Sequence, residues 1–182
     1  WLDEEHRPRK LFAHTTGDAH ADSLIHDQTD PGLFLDIDQT QDGKYLLLST
    51  HDHETSEVSL IDAAAPDTEP RLVAPRELEH EYSVCHHEGR LIILTNSGGA
   101  EDFRIVEAPA KDPAPANWTE IEPPRPGRRI MDIIAFNDYL VRLERENGLP
   151  RIVIRRFADG DEHEIAFDEE AYALGVSAGF EY

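Results

Sequence analysis

Residues 82–96 read Tyr-Ser-Val-Cys-His-His-Glu-Gly-Arg-Leu-Ile-Ile-Leu-Thr-Asn, and this stretch decides the fold. Apolar and polar residues alternate before Glu88-Gly89, which is typical of a half-buried strand. The run Leu91–Leu94 after that pair is continuously apolar, as in a strand that is buried on both faces. The stretch therefore predicts an antiparallel hairpin with a tight turn at Glu88-Gly89.

The same strand-turn-strand unit occurs upstream in residues 34–50 and downstream in residues 131–145. Subtraction of their numbers places the turn residues Gly43, Gly89 and Asp138 first 46 and then 49 residues apart. A repeat of that length is the mark of a β-propeller blade. Each repeat offers four short apolar runs without helical periodicity, so we expect each to form one four-stranded antiparallel sheet.

We therefore predict an all-β chain that is part of a β-propeller, with three full four-stranded antiparallel blades and partial blades at both ends. The full blades are expected at residues 31–75, 80–122 and 130–168, and the partial blades at residues 1–30 and 171–182. Closed propellers use about four to eight blades, so we expect the chain to be cut from a larger propeller. Open blade edges expose unpaired backbone groups, which predicts self-association between copies.

The composition argues against several classes of partner. The 182 residues carry a formal charge of −21, with 38 acidic and 17 basic side chains. Nucleic acids and anionic membrane surfaces are bound by clustered Lys and Arg, so we expect neither as a partner. The charge would attract cationic ligands, and a merely soluble acidic surface is the simpler alternative. With no targeting peptide visible, we expect a cytoplasmic protein, although the chain begins at Trp1 rather than Met.

The sequence of the repeats resembles that of the propeller in the prolyl oligopeptidase family of serine peptidases. Within this family it is most similar to the oligopeptidase B (protease II) branch. The matching segments occur in collinear order over nearly the whole chain. They are His14-Thr-Thr-Gly-Asp18, Asp22-Ser-Leu-Ile-His26, Thr55-Ser-Glu-Val-Ser-Leu-Ile-Asp62, His80-Glu-Tyr-Ser-Val84, Leu94-Thr-Asn96 with Phe103, Glu144-Arg-Glu-Asn-Gly-Leu149 and Ile165-Ala-Phe-Asp-Glu-Glu-Ala-Tyr172.

This resemblance implies a seven-bladed propeller that caps an α/β-hydrolase domain and admits only short peptides to a catalytic serine. It implies cleavage after Arg or Lys by the parent protein, with short basic peptides as substrates and the hydrolase domain of the same polypeptide as partner. No cofactor and no metal are implied, and the catalytic residues lie outside these 182 residues. The chain alone is then a non-catalytic gating portion, and the rival interpretation is a stand-alone propeller that serves as a protein-interaction module.

Two motifs suggest catalysis at first sight. Gly175-Val-Ser-Ala-Gly179 satisfies Gly-x-Ser-x-Gly, but a nucleophile elbow needs a helix after the serine and an acid and a histidine later in the chain. Only three residues follow, so we expect Ser177 to belong to a blade strand. The single cysteine, Cys85, lies within a predicted strand, which favours a buried and inert thiol over a nucleophile.

Three clusters invite a metal interpretation. His51-Asp-His53 and His86-His87 lack a third ligand at a fixed spacing, so we interpret them as ordinary histidines. The carboxylates Asp36, Asp38 and Asp42 resemble a calcium loop, but Gly43 is at position eight rather than six. The sequence therefore predicts no metal site.

The loops between second and third strands should emerge on the same face as the connections from one blade to the next. Charged residues on that face are candidates for an interdomain, substrate-gating surface, and exposed charged loops are the simpler alternative. The candidates are Arg76, Glu81, Glu101, Arg128, Glu144 and Arg145.

Overall fold

A computed structural model describes residues 1–17, 22–169 and 172–177. These residues form strands and two single turns of 3₁₀ helix, and no described helix is long and apolar enough to span a membrane. The strands are β1 (Lys10–Ala13), β2 (Ser23–Asp27), β3 (Phe34–Gln39), β4 (Tyr45–His51), β5 (Ser56–Asp62), β6 (Arg71–Leu72), β7 (Tyr82–His87), β8 (Arg90–Thr95), β9 (Arg104–Pro109), β10 (Thr119–Glu122), β11 (Arg128–Ala135), β12 (Tyr139–Glu146), β13 (Leu149–Arg156) and β14 (Glu162–Glu164).

The strands pair only with sequence neighbours, and every pairing is antiparallel. Within the described ranges, β1–β2 form sheet 1, β3–β6 sheet 2, β7–β10 sheet 3 and β11–β14 sheet 4. Sheets 2 to 4 each have four strands in simple up-and-down order, as a propeller blade requires. The prediction of an all-β, open propeller segment is therefore confirmed, while the residue limits of the blades stay predictions.

The hairpin that decides the fold forms as its sequence predicts. Strands β7 and β8 pair from Tyr82 with Thr95 to His87 with Arg90. Both turn residues have positive φ, 46° at Glu88 and 81° at Gly89, the geometry of a tight hairpin turn. A side chain at Gly89 would meet no neighbour, so its conformation rather than its space selects glycine.

The continuous apolar run of β8 joins three sheets. Leu91 and Ile93 belong to a core shared with sheet 2, which includes Val58 and Leu60. The alternate residues Ile92 and Leu94 belong to a core shared with sheet 4. Side chains on a strand alternate between faces, so one apolar run fills two interfaces. This is the reason that residues 91–94 of β8 are all apolar.

The chain's last described segment departs from expectation. Residues 172–177 form neither strand nor helix, whereas the partial blade predicted at residues 171–182 required a strand. The remainder of that prediction, residues 171 and 178–182, lies outside the described residues. At the other end, β1 and β2 form a two-stranded sheet whose Leu11 and Ile25 pack against sheet 2.

Candidate functional site

The first strands of sheets 2, 3 and 4 border a cavity of about 530 Å³. Its wall carries the carboxylates of Asp36, Asp38 and Asp132, and no lysine or arginine lines it among the described residues. Burial raises the pKa of Asp132, although the N–H of Ile133 donates a hydrogen bond to its Oδ1 at 2.8 Å. The innermost strands therefore present an acidic surface, which we call the channel wall.

His51 lies where this cavity meets a second one of about 390 Å³. Its Nε2 lies 2.8 Å from Asp36 Oδ2, and its Nδ1 lies 3.0 Å from the backbone oxygen of Asp52. Both partners only accept hydrogen bonds, so making both bonds requires the imidazolium form. Burial opposes this charge, but the bonds to Asp36 and Asp52 outweigh it and raise the pKa of His51.

The histidine clusters show no metal-binding arrangement. His51 is engaged by Asp36 and by the backbone, and His53 lies beside the ring of Phe34. Across residues 1–17, 22–169 and 172–177, no group of three His, Cys, Asp or Glu side chains is placed to hold a metal ion.

Four of the six residues predicted for an interdomain face lie at the surface. Arg76, Glu101 and Arg145 are exposed, and Glu81 is half-buried. Arg76 is already paired within sheet 2, since its Nη2 lies 2.8 Å from Thr50 Oγ1 and 3.2 Å from a Glu57 oxygen. The other three surface residues form no ion pair within the described part of the chain, and Arg145 lies directly opposite Arg129 in the β11–β12 pair.

The other two predicted residues, Arg128 and Glu144, are not on the surface. Their exposed fractions are 4% and 1%, so as members of an exposed docking face they were wrongly predicted. The reason is the alternation of β12, which turns Glu144 to the same side as Leu140 and Arg142. That side packs against sheet 3, where Arg128 forms an ion pair with Glu122.

These two residues belong to a buried ion cluster centred on Arg142, which is 2% exposed. Its Nε donates to Glu144 Oε1 at 2.9 Å, and its Nη1 and Nη2 donate to the two oxygens of Glu162 at 2.6 and 3.1 Å. Burial opposes the charge of Arg142, but the bonds to Glu162 and the charge of Glu144 raise its pKa. The cluster joins β10, β11, β12 and β14.

An aspartate–histidine pair links sheets 2 and 3, and it resembles part of a catalytic triad. Asp42 Oδ2 lies 2.6 Å from His86 Nδ1, and the hydroxyl of Thr40 donates to Asp42 Oδ1 at 2.7 Å. However, the N–H of Gly89 donates to His86 Nε2 at 3.1 Å. Both ring nitrogens are therefore occupied, and His86 has none left to act as a general base.

Replacing Asp42 with alanine should lower the free energy of unfolding by about 1–3 kcal/mol at pH 7, because buried His86 loses its acceptor. Burial opposes the charge of Asp42, but hydrogen bonds from Thr40 and His86 lower its pKa below 3.8. Its contribution is therefore present above about pH 4 and is lost as pH falls through the lowered pKa. Denaturant unfolding at pH 7 and at a series of lower pH values down to about pH 2 measures the difference, with exposed Asp38→Ala as the control. A destabilisation that stays the same over the whole series would contradict the linkage.

Ser177 has no nucleophile-elbow geometry. It borders the channel-side cavity, and the described residues before it, 172–176, form no strand. An elbow places the serine between a strand and a helix. The sequence residues after it, 178–182, lie outside the described part.

The sequence analysis did not predict three features of the structure. They are the burial of Arg142, the Asp42–His86 pair and the exposure of Leu78. Arg142 stands between Leu140 and Leu143 in an apolar strand, which was a signal that it needed buried partners. Asp42 was examined only as part of a calcium loop. Leu78 is 86% exposed in a charged connection and has no periodic pattern that would reveal it.

Four-stranded antiparallel sheets that pack face to face, each opening with a strand that borders a common cavity, define a β-propeller segment. The sequence model described as "Prolyl oligopeptidase, N-terminal beta-propeller domain" matches residues 1–182, the whole chain. The chain belongs to the prolyl oligopeptidase family, in which it corresponds to the N-terminal propeller domain.

Individual relatives agree with this family. "Protease 2" of Moraxella lacunata is 33% identical over 177 residues, which cover 96% of this chain and 25% of that protein. "Dipeptidyl aminopeptidase BI" of Pseudoxanthomonas mexicana is 30% identical over 93% of this chain and 23% of its own length. The structure of oligopeptidase B from Trypanosoma brucei, with covalently bound antipain, superposes with a TM-score of 0.84 at 27% identity. The superposition covers 93% of this chain and 25% of the Trypanosoma brucei chain. The chain thus spans about a quarter of the length of these relatives.

Proposed function

We propose that this chain is the non-catalytic, substrate-gating propeller portion of a serine oligopeptidase that cleaves short peptides after Arg or Lys. The observation that carries the proposal is the match of the entire chain to the family's propeller domain. The similarity to oligopeptidase B in sequence and fold supports the choice of branch. The rival interpretation, a stand-alone interaction module, has no support, because the relatives named above are peptidases by name and about four times as long.

The channel wall suits this role physically. Its carboxylates Asp36, Asp38 and Asp132 have no arginine or lysine beside them in the described lining. An acidic wall raises the local concentration of cationic ligands and speeds their encounter. A peptide that carries Arg or Lys is therefore favoured at the wall before it reaches any catalytic group.

Gating also requires a wall of fixed shape, and side chains lock neighbouring sheets together. The hydroxyl of Tyr82 in sheet 3 accepts from the N–H of Val58 at 2.7 Å and donates to the oxygen of Ala74 at 2.8 Å, both in the segment of sheet 2. His87 stacks on Phe157 at 3.7 Å between ring centroids, which links sheet 3 to sheet 4. These contacts oppose sliding between blades, so bulky substrates cannot easily widen the passage.

The partner in this proposal is an α/β-hydrolase domain of the same polypeptide, which supplies the serine, the acid and the histidine. We place it on the loop face, the surface formed by the connections between second and third strands and between successive sheets. Self-association through open sheet edges and a cytoplasmic location stay predictions. Scattering from the isolated chain at increasing concentration tests the first, since a monomer throughout would contradict it.

A chromogenic dibasic peptide tests the proposed function. We expect the complete parent polypeptide to hydrolyse it and this chain alone to give no turnover. Ser177→Ala in the parent should leave the rate unchanged, because Ser177 has no elbow geometry. Turnover that copurifies with the isolated chain, or an inactive parent, would contradict the proposal.

A further inference from the structure

The loop face carries a depression of about 520 Å³ whose charges are all negative. It lies between the β4–β5 loop, the connection from sheet 2 to sheet 3, and the β8–β9 loop. None of its carboxylates forms an ion pair with another described residue. We call it the acidic depression, and its glutamates are Glu54, Glu77, Glu79, Glu81 and Glu101.

The basic residues of this face are used elsewhere. Arg76 is paired with Glu57 inside sheet 2, and Arg128 is buried against Glu122. Arg145 lies on sheet 4 opposite a second arginine. Arg104 reaches the rim of the depression, where its Nη2 donates to Ser97 Oγ at 3.1 Å, but its ion pair is with Glu120. The glutamates of the depression therefore have no ion-pair partner within the described chain.

Leu78 lines the same depression and is 86% exposed, the largest such fraction among the exposed large apolar side chains described. Its exposure does not come from a loose loop. The N–H of Glu79 donates to Thr55 Oγ1 at 3.2 Å, and Asn96 Nδ2 donates to the Glu79 oxygen at 2.8 Å. Asn96 Oδ1 accepts from the N–H of Glu81 at 2.9 Å. Before Leu78, the N–H of Arg76 donates to Glu57 Oε2 at 3.0 Å, so the connection is held on both sides of Leu78, which projects from it.

His80 provides a separate indication of a missing partner. It is 8% exposed and lines the depression, and its Nε2 lies 2.9 Å from Thr95 Oγ1. Its Nδ1 is buried and has no hydrogen-bond partner among the described residues. Burial lowers the pKa of His80, which outweighs the opposite effect of Glu77, so the ring is neutral. The neutral ring leaves Nδ1 unpartnered in either tautomer, as an acceptor when Nε2–H donates to Thr95 and as a donor when the Thr95 hydroxyl donates to Nε2.

We propose that the acidic depression docks a basic patch of the catalytic domain of the same polypeptide, with Leu78 inserted into an apolar socket of that domain. This inference rests on the proposed function, because it takes the catalytic domain as the partner. Lysine or arginine side chains of that patch would neutralise the glutamates. Complementary charge sets the register of a docking surface, and a central apolar anchor supplies its energy.

The test compares two triple variants of the complete parent polypeptide. Glu77→Lys/Glu79→Lys/Glu81→Lys reverses charge in the depression, and Asp67→Lys/Glu69→Lys/Glu88→Lys makes the same charge change on exposed turns of the opposite face. Like charges across an interface are strongly unfavourable, so the first variant should separate the domains. We expect a larger radius of gyration in solution scattering and a fall of about tenfold or more in kcat/KM for a dibasic peptide. The second variant should match the wild type.

A second pair isolates the apolar anchor. Leu78→Asp should shift scattering in the same direction, whereas Leu72→Asp, on the outer strand β6 and also exposed, should not. Unchanged scattering in both loop-face variants would overturn the inference, and a change in KM alone would instead assign the depression to substrate. Scattering does not depend on activity. An inactive parent polypeptide would therefore contradict the proposed function, whereas the scattering data would still show whether the domains dock through the depression.

Discussion

Replacing Arg142 with methionine should lower the free energy of unfolding by about 3–5 kcal/mol, the usual cost of removing one partner from a buried ion pair. Arg142 is 2% exposed and neutralises Glu144, which is 1% exposed, as well as Glu162. Methionine would fill much of the volume but would leave the carboxylate of Glu144 buried with less compensation. The penalty then comes from an unpaired charge rather than from a cavity.

Chemical denaturation of the isolated chain measures this effect, and two further variants show its origin. Arg156→Met removes an exposed arginine that pairs with exposed Asp159, so the stability should change little because water screens such pairs. Adding Glu144→Leu to Arg142→Met should recover part of the loss, because the uncompensated carboxylate is gone. A loss for Arg142→Met no greater than that for Arg156→Met would show that the cluster contributes no stability.

The fold was predictable because two independent patterns agree. The apolar run Leu91–Leu94 predicts a strand buried on both faces, and the structure assigns alternate residues to cores on opposite sides. The recurrence of a turn near Gly43, Gly89 and Asp138 predicts that such strands come in repeated sheets. A strand with two apolar faces needs a sheet on each side, so burial and repetition lead to the same stacked architecture.

The loop face was less predictable, because its residues depend on where each strand begins and ends, and two of these strand ends were predicted wrongly. Glu144 was predicted to be a loop residue of this face, but β12 continues to Glu146 and turns at Asn147-Gly148. Asn-Gly is the favoured pair for a two-residue hairpin turn. With that turn in place, Glu144 is a strand residue on an inward face. The prediction for Arg128 was wrong for the same reason. Strand β11 begins at Arg128 rather than at Ile130, so Arg128 is a strand residue and not a loop residue.

The acidic depression was only partly predictable. Glu81 and Glu101 were expected on the loop face from the order of connections alone, and the structure places both at one depression. The sequence could not show that Arg76 is paired within its own sheet, since Glu57 is 19 residues away. It therefore predicted a face of mixed charge. Only the side-chain contacts show that the carboxylates there are left without counterions.

At pH 8, Cys85 should react with a chromogenic aromatic disulfide about a thousandfold more slowly in the native chain than in the unfolded chain. Burial, with the nearby charge of Asp132, raises the pKa of this thiol from 9.0 to about 12. The thiol also lies 3.3 Å from the backbone oxygen of Ile133, to which it can donate. The thiolate is the reactive form, and its fraction falls tenfold for each unit of pKa above the working pH.

Because Cys85 is the single cysteine, the native and unfolded rates are both rates of the same residue and can be compared directly. The native rate should rise about tenfold for each pH unit up to pH 10, where the unfolded rate has levelled off near its own pKa. Asp132→Asn should speed the native reaction, since it removes the charge that disfavours a thiolate, whereas Asp38→Asn elsewhere on the channel wall serves as the control. A native rate within about tenfold of the unfolded rate at pH 8 would contradict the raised pKa of this half-buried thiol, which lines the cavity.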